Sequence, residues 1–336
     1  MTIRDIAKLA GCSVATVSRV LNDADGVSED MRRHVKQIIE ENDFRPSSTA
    51  KSLAEKKTNT LLFVYENVPE NPFYGELIRG AIEAAKQTHQ ILLFNIISED
   101  YVIDYLFGAL KSGQIDGTII ASTGNPETKQ FARKMEQEHQ KLVLINDPID
   151  EMNVPRIYIN NEQSAYQATK YLLRCGHRRI GHIGGRVTSF TSYNRYEGYC
   201  HAMNEAGLQR YTQMYLNNNN LGREDARRTA LRLLQLPEPP TAIFAANDMM
   251  AVGVYEAAAE LHLRIPDDLS VVGHDDINMA SVMEPKLTTM HQPIFEMGRR
   301  AVYLLLDYIA CNRPRALQES VVLAADLVER GSVRRL

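Results

Sequence analysis

Apolar residues at the N-terminus recur with a helical period. Ile3, Ile6, Ala7 and Ala10 fall at i, i+3, i+4 and i+7, and Thr2 with Asp5 has capping-box spacing, which predicts one short helix. Gly11, Cys12 and Ser13 interrupt the stripe, and Val17, Val20 and Leu21 resume it after a Ser cap. Ser28 then precedes Glu29 and Asp30, with Met31, Val35, Ile38 and Ile39 on one face of a third helix ending near Asn42. The unit is small for a self-sufficient core, so alone it should be marginally stable.

Beyond it, Pro46 ends the helical region and Ser47 caps a run, STAKSLA, of about seven residues. An isolated helix shorter than roughly 12 residues is marginal in water, so this hinge should form only when something packs on it. From Thr60 the pattern becomes alternating apolar strands and amphipathic helices, the signature of parallel sheets flanked by helices. TLLFVY, ILLFNII, GTIIA and LVLI, with a helix through Leu77, Ile78, Ala81, Ile82 and Ala85, predict a first lobe ending near Val154. Ile157 to Ile159 opens a second series, continued by RIGHI, TAIFAA and LSVVG with helices over 164–175, 195–206, 223–234 and 249–261. The fold class is therefore α/β: a three-helix helix-turn-helix head and a two-lobed body, with a cleft between the lobes.

Composition narrows the function. The chain has 336 residues, 44% hydrophobic and 24% charged, enough for two or three domains. It shows no apolar run near the roughly 20 residues of a membrane span and no signal-peptide pattern, which predicts a soluble, cytoplasmic protein. Cys12, Cys175, Cys200 and Cys311 are far apart without CxxC spacing and read as reduced thiols. The net charge of −4 is not that of a nonspecific nucleic-acid coat. Even over 1–57, ten Lys/Arg face nine Asp/Glu, so cations must be arranged rather than abundant to meet phosphates. Arg4, Arg19, Arg32, Arg45, Lys51, Lys56 and Lys57 are the candidates. On the second helix Val14, Ala15, Ser18 and Arg19 face outward with Thr16 beside them, small side chains and one planar donor fork that suit a major groove.

Enzyme chemistry finds no support. GHIGG (181–185) lacks the GKS/GKT ending of a phosphate loop, His177, His182 and His201 have no metal spacing, and Ser189 and Ser192 lack a nucleophile elbow. No cofactor or metal is expected.

The opening stretch, FRPSSTAKSLA (44–54), NPFY, GHRRIGHIGG, PTAIFAANDMMAVG, VVGHDDI and LTTMHQP resemble, in order, the lactose-repressor/galactose-repressor family of bacterial transcription regulators. The resemblance implies a helix-turn-helix domain (1–46), a hinge helix and linker (47–57) and a periplasmic-binding-protein-like body (58–336). Its first lobe would span about 58–155 and 292–318, and its second about 156–291 and 319–336, with the last strand, VVLAADLV, returning to the second. It implies a homodimeric repressor on a pseudo-palindromic operator, controlled by a small-molecule effector, most simply a sugar, and nucleoid-associated when bound to DNA. A nucleoside or sugar phosphate, or a protein partner, is the alternative controller. The implied DNA-binding set is Thr2, Arg4, Ser13, Val14, Ala15, Thr16, Ser18, Arg19, Asn22, Ser28, Arg45 and Leu53, the last as a minor-groove wedge.

Phe73, Tyr74, Asn146, Thr191, Arg195, Asn247, Asp275 and Gln292 match the family's effector contacts. Phe73 and Tyr74 are alternatively core residues, Arg195 an ion pair between lobes, and Asp248 a helix-dipole partner or a contact. Leu221 aligns where many members place an aromatic ring, which disfavours stacking on a base. Whether the effector induces or corepresses stays open.

Overall fold

The computed structural model describes the chain apart from residues 22, 45–56, 67–70, 98–99, 123, 125, 147–151, 186–188, 209–221 and 312–319. The expected hinge helix and the candidates Asn22, Arg45, Leu53 and Leu221 lie outside the described residues. Contacts divide the chain into two units, Met1–Thr58 and Asn59–Leu336.

The first unit holds α1 (Ile3–Leu9), α2 (Val14–Leu21) and α3 (Glu29–Glu41). At α1 the Thr2 N–H donates to Asp5 Oδ2 at 2.8 Å and the Asp5 N–H returns to Thr2 Oγ1 at 3.4 Å, the reciprocal pair of a capping box. Ser13 Oγ accepts from the Thr16 N–H (3.1 Å) and Ser28 Oγ from the Met31 N–H (3.4 Å). Gly11 sits at φ +57 in the turn, a conformation that costs a side-chain-bearing residue more. Ile6, Ala7, Ala10, Val17, Val20, Val35, Ile38 and Phe44 form the core.

In the second unit a six-stranded parallel sheet has the order β10-β5-β4-β3-β1-β2. Its strands are β1 (Thr60–Glu66), β2 (Ile91–Ile97), β3 (Gly117–Ala121), β4 (Leu142–Ile145), β5 (Arg156–Ile159) and β10 (Ser320–Leu323). A second sheet runs β11-β9-β8-β7-β6, from β6 (Ile180–Ile183), β7 (Ala242–Ala245), β8 (Ser270–Asp275), β9 (Thr288–His291) and β11 (Asp326–Val328). It is parallel except where β11 joins β9. Helices α4 (Phe73–Gln87), α5 (Asp100–Lys111), α6 (Pro126–Gln137) and α11 (Ile294–Ala310) belong with the first sheet. With the second go α7 (Asn161–Arg174), α8 (Phe190–Glu205), α9 (Arg223–Leu234) and α10 (Asp248–Glu260).

Two strand assignments are corrected here. Ile157–Ile159 does not open the second lobe: Arg156 and Ile157 pair with Leu144 and Ile145 of β4, in the first sheet. The final apolar run is two strands, Ser320–Leu323 beside β5 and Asp326–Val328 beside β9. Two-residue periodicity identifies a strand but carries no information about which sheet edge accepts it.

Helix pairs in this unit approach to backbone contact through glycine. A Cβ on Gly298 would overlap the Leu77 carbonyl oxygen, and one on Gly80 the Phe295 carbonyl oxygen, so α4 and α11 pack with no side chain between them at that point. Gly198 against Glu162 and Gly253 against Arg223 repeat the arrangement for α7–α8 and α9–α10.

Candidate DNA-reading helix and interlobe ligand site

On α2, burying Val17 and Val20 leaves Val14, Ala15 and Arg19 exposed, with Thr16 and Ser18 partly so. Ser13 and Thr16 spend their hydroxyls on each other (2.9 Å) and on the cap, so they shape the helix start as well as facing outward. Thr2 and Ser28 are likewise engaged as caps, while Arg4 is exposed. Among the described phosphate candidates, Arg32 is the exception. Its guanidinium bonds Asp23 Oδ1 (3.1 Å) and the Ala24 carbonyl (2.8 Å), pinning the α2–α3 loop.

In the second unit the predicted effector residues divide. Phe73 and Tyr74 open α4, meet edge-to-face with centroids 5.5 Å apart and lie in the first-lobe core, where the Tyr74 ring also meets Tyr65 at a tilt. Asn146 follows β4 directly, buried at φ 72, and its N–H donates to the Ile157 carbonyl at 2.9 Å. Asn247 caps α10 through the Met250 N–H (2.7 Å).

Arg195, Asp275 and Gln292 come together. Arg195 reaches in from α8, donating Nε–H to Asn161 Oδ1 at 2.8 Å and Nη1–H to the Ala246 carbonyl, with Nη1 3.5 Å from Asp275 Oδ1. Gln292 Nε2 donates to the same Asp275 oxygen at 2.5 Å. All three side chains are buried, Arg195 6% exposed, Asp275 4% and Gln292 2%. The Gln292 carbonyl oxygen and the Thr191 hydroxyl are buried with no partner among the described residues. A buried polar atom without a partner costs on the order of 1–3 kcal/mol, which a ligand hydroxyl or N–H would recover. The ion-pair reading of Arg195 therefore holds within the second lobe, to Asp275, and not across the lobes. Gln292 also lines a cavity of about 780 Å³ between Gly75, Glu76 and Arg79 of α4 and Asp276, Asn278 and His291.

Four residues that sequence reasoning missed or left ambiguous support this set. Asn161 and Ser164 open α7, and His274 precedes Asp275. Asp248, the acidic residue in the first turn of α10, accepts the Thr289 hydroxyl (2.6 Å) and the Ile277 N–H (2.9 Å), and so also braces the Asp275–Ile277 turn against β9. Burial beside the Asp275 charge pushes Asp248 well above the ordinary carboxylate range.

His182 and His274 are both fully buried, and that burial pushes each imidazole down to about 4. Their folded values lie below the unfolded value near 6.5. The stability they contribute is therefore complete above pH about 6.5 and lost as pH falls towards 4, by on the order of 3 kcal/mol each. Thermal unfolding between pH 7 and 4.5 should show the fall. His182→Phe, which keeps the stack on Tyr196, Tyr199 and Phe244, should remove about half of the histidine contribution to it.

Among the described residues no helix is long and apolar enough to cross a membrane. Residues 2–47 match the model of bacterial regulatory proteins of the lacI family, and residues 169–333 that of a periplasmic binding protein-like domain. The ribose operon repressor of Escherichia coli (strain K12) is 35% identical over 339 residues, covering 98% of this chain and 99% of the repressor. The transcriptional repressor CytR of the same strain is 31% identical over 338 residues, covering 100% of this chain and 97% of CytR. The structure of the regulator CelR in complex with cellobiose superposes with a TM-score of 0.72 at 27% identity over 99% of both chains. With its exposed reading helix and its two-sheet ligand-binding body, the chain belongs to the lacI family of bacterial regulatory proteins and is a DNA-binding transcriptional regulator.

Proposed function

We propose that this chain represses transcription as a homodimer on a pseudo-palindromic operator, one three-helix head per half-site, under control of a small polyhydroxylated ligand, most simply a sugar. Two-fold symmetry of the protein is then mirrored in the DNA. Such a regulator works in the bacterial cytoplasm, on the nucleoid.

The observation that carries the effector class is the convergence of Arg195, Asp275 and Gln292. A buried donor fork and acceptor groups within one small site suit adjacent hydroxyls, which both give and take hydrogen bonds. The names of the ribose operon repressor and of the CelR–cellobiose complex point the same way. Exposed apolar side chains on the edge strand β2 (Ile91, Leu93, Phe94) and at Met279 and Val282 supply surface for the second protomer. The site works by binding, not by catalysis.

Thermal unfolding of the full chain against sugars, sugar phosphates and nucleosides tests the effector class. A ligand at 100 times its Kd adds about 2.7 kcal/mol and moves the midpoint by several degrees. A hit among free sugars supports the reading. A hit confined to phosphates or nucleosides replaces it, and silence with operator binding intact favours a protein partner.

On DNA, Arg19→Ala is expected to weaken binding to an operator selected from random duplexes by about 1–3 kcal/mol, about fivefold to over a hundredfold, while ligand stabilisation persists. Fluorescence anisotropy reads the first and thermal shift the second; unchanged operator affinity would remove Arg19 from the reading face.

A further inference from the structure

Behind the ligand-site carboxylate runs a buried chain of hydrogen bonds. Ser164 Oγ lies 2.8 Å from His274 Nε2, and His274 Nδ1 lies 3.1 Å from Asp275 Oδ1. The order Ser–His–Asp is that of a hydrolytic relay. Ser164 is only 2% exposed and His274 wholly buried, so the hydroxyl is walled off from any substrate.

Asp275 Oδ1 can only accept while the carboxyl is ionised beside Arg195, so the His274 proton sits on Nδ1. Nε2 is then a bare lone pair and takes the Ser164 proton. The Gln292 amide nitrogen, 3.2 Å from Nδ1, is a second donor, and both donors converge on Asp275 Oδ1. This also settles the amide's orientation, because its oxygen facing that carboxylate would be repelled. The Gln292 carbonyl oxygen must turn away, and there it has no partner among the described residues. Asp275 Oδ1 thus receives His274, Gln292 and Arg195, whereas Oδ2 takes no hydrogen bond from the described residues. Asp275 also stands at φ +113, a strained backbone for a side-chain-bearing residue that persists only where surroundings hold it.

We propose that His274, backed by Ser164, is a positioning residue of the ligand site. It consumes one Asp275 oxygen inside the protein and leaves the other, with the Gln292 carbonyl oxygen, as a pair of acceptors for the ligand. This rests on the effector reading above and deepens it: at this end of the site the ligand offers two donors, adjacent hydroxyls or a hydroxyl and an N–H. A carboxylate or phosphate set against that pair would face two acceptor oxygens.

The full-length protein, labelled with 15N in the histidine rings, tests the positioning without any ligand. At pH 7 the His274 ring, assigned by its loss in His274→Asn, should show a protonated Nδ1 and a bare Nε2, the reverse of the tautomer an isolated imidazole prefers. In Asp275→Asn the preference should relax. A proton on Nε2, or on both nitrogens, overturns the proposal.

A second arm uses D-ribose as probe. His274→Phe should weaken its binding about tenfold, the worth of one charge-assisted hydrogen bond. His274→Asn, whose amide N–H overlays Nδ1–H, should recover to within about threefold. Equal affinity of His274→Phe and wild type overturns the positioning role even where the tautomer is as expected. If the wild type does not bind ribose, the effector reading loses that sugar, and the tautomer alone decides on His274.

Discussion

Arg195→Ala is expected to abolish the ligand response while the head still binds its operator. It also carries the largest stability cost of any single change at the site. The guanidinium is buried with Asp275 at 3.5 Å and holds Asn161 and the Ala246 carbonyl, so its removal strands a buried carboxylate and two acceptors at once. Breaking one partner of a buried pair costs about 3–5 kcal/mol, which in a body of this size lowers Tm by on the order of 10 °C. Arg195→Lys separates the two effects. It restores charge beside Asp275 and hence part of the stability, but cannot restore the planar fork, so ligand stabilisation should remain absent. Thermal unfolding with and without the active sugar, beside operator anisotropy, measures all three. A mutant that responds at wild-type ligand concentrations would move the effector away from this cluster.

Gly298→Ala is the second large effect, and it needs no ligand. Its Cβ would overlap the Leu77 carbonyl oxygen, a backbone atom that can move only if α4 and α11 separate. Overpacking of this kind costs about 1–3 kcal/mol and here should reach the upper end, since the helices meet reciprocally through Gly80. Gly108→Ala is the control. That glycine lies in α5 with nothing within 4 Å of an added Cβ, and the change should stabilise by roughly 0.5–1 kcal/mol through helix propensity. Denaturant unfolding of the two variants should show opposite signs; equal effects would mean that the helix crossing tolerates separation.

Both predictions rest on contacts that one-dimensional pattern does not encode. Gly298 in EMGRRA and Gly108 in LFGAL look alike in sequence, yet only the first has a carbonyl oxygen where its side chain would go. His274 was visible in GHDD, but that its ring lies between Ser164 and Asp275, 110 residues from the first, follows from the placement of α7 against β8.

What the sequence by itself determined is local. The caps at Thr2, Ser13 and Ser28, the helical stripes of the head and the strand runs of the body follow from hydrogen bonds and periodicities spanning a few residues. The outward face of α2 follows too, because burying Val17 and Val20 leaves Val14, Ala15 and Arg19 outside.

What only the tertiary structure decided is partnership between distant segments. It put Ile157–Ile159 and Ser320–Leu323 on the first sheet and gave Arg195 to Asp275 within the second lobe. It also turned Arg32 from a phosphate candidate into a loop brace. A strand's apolar period and an arginine's charge are properties of the chain; which edge or carboxylate satisfies them is set by three-dimensional packing, where any of several partners would satisfy the same local rule.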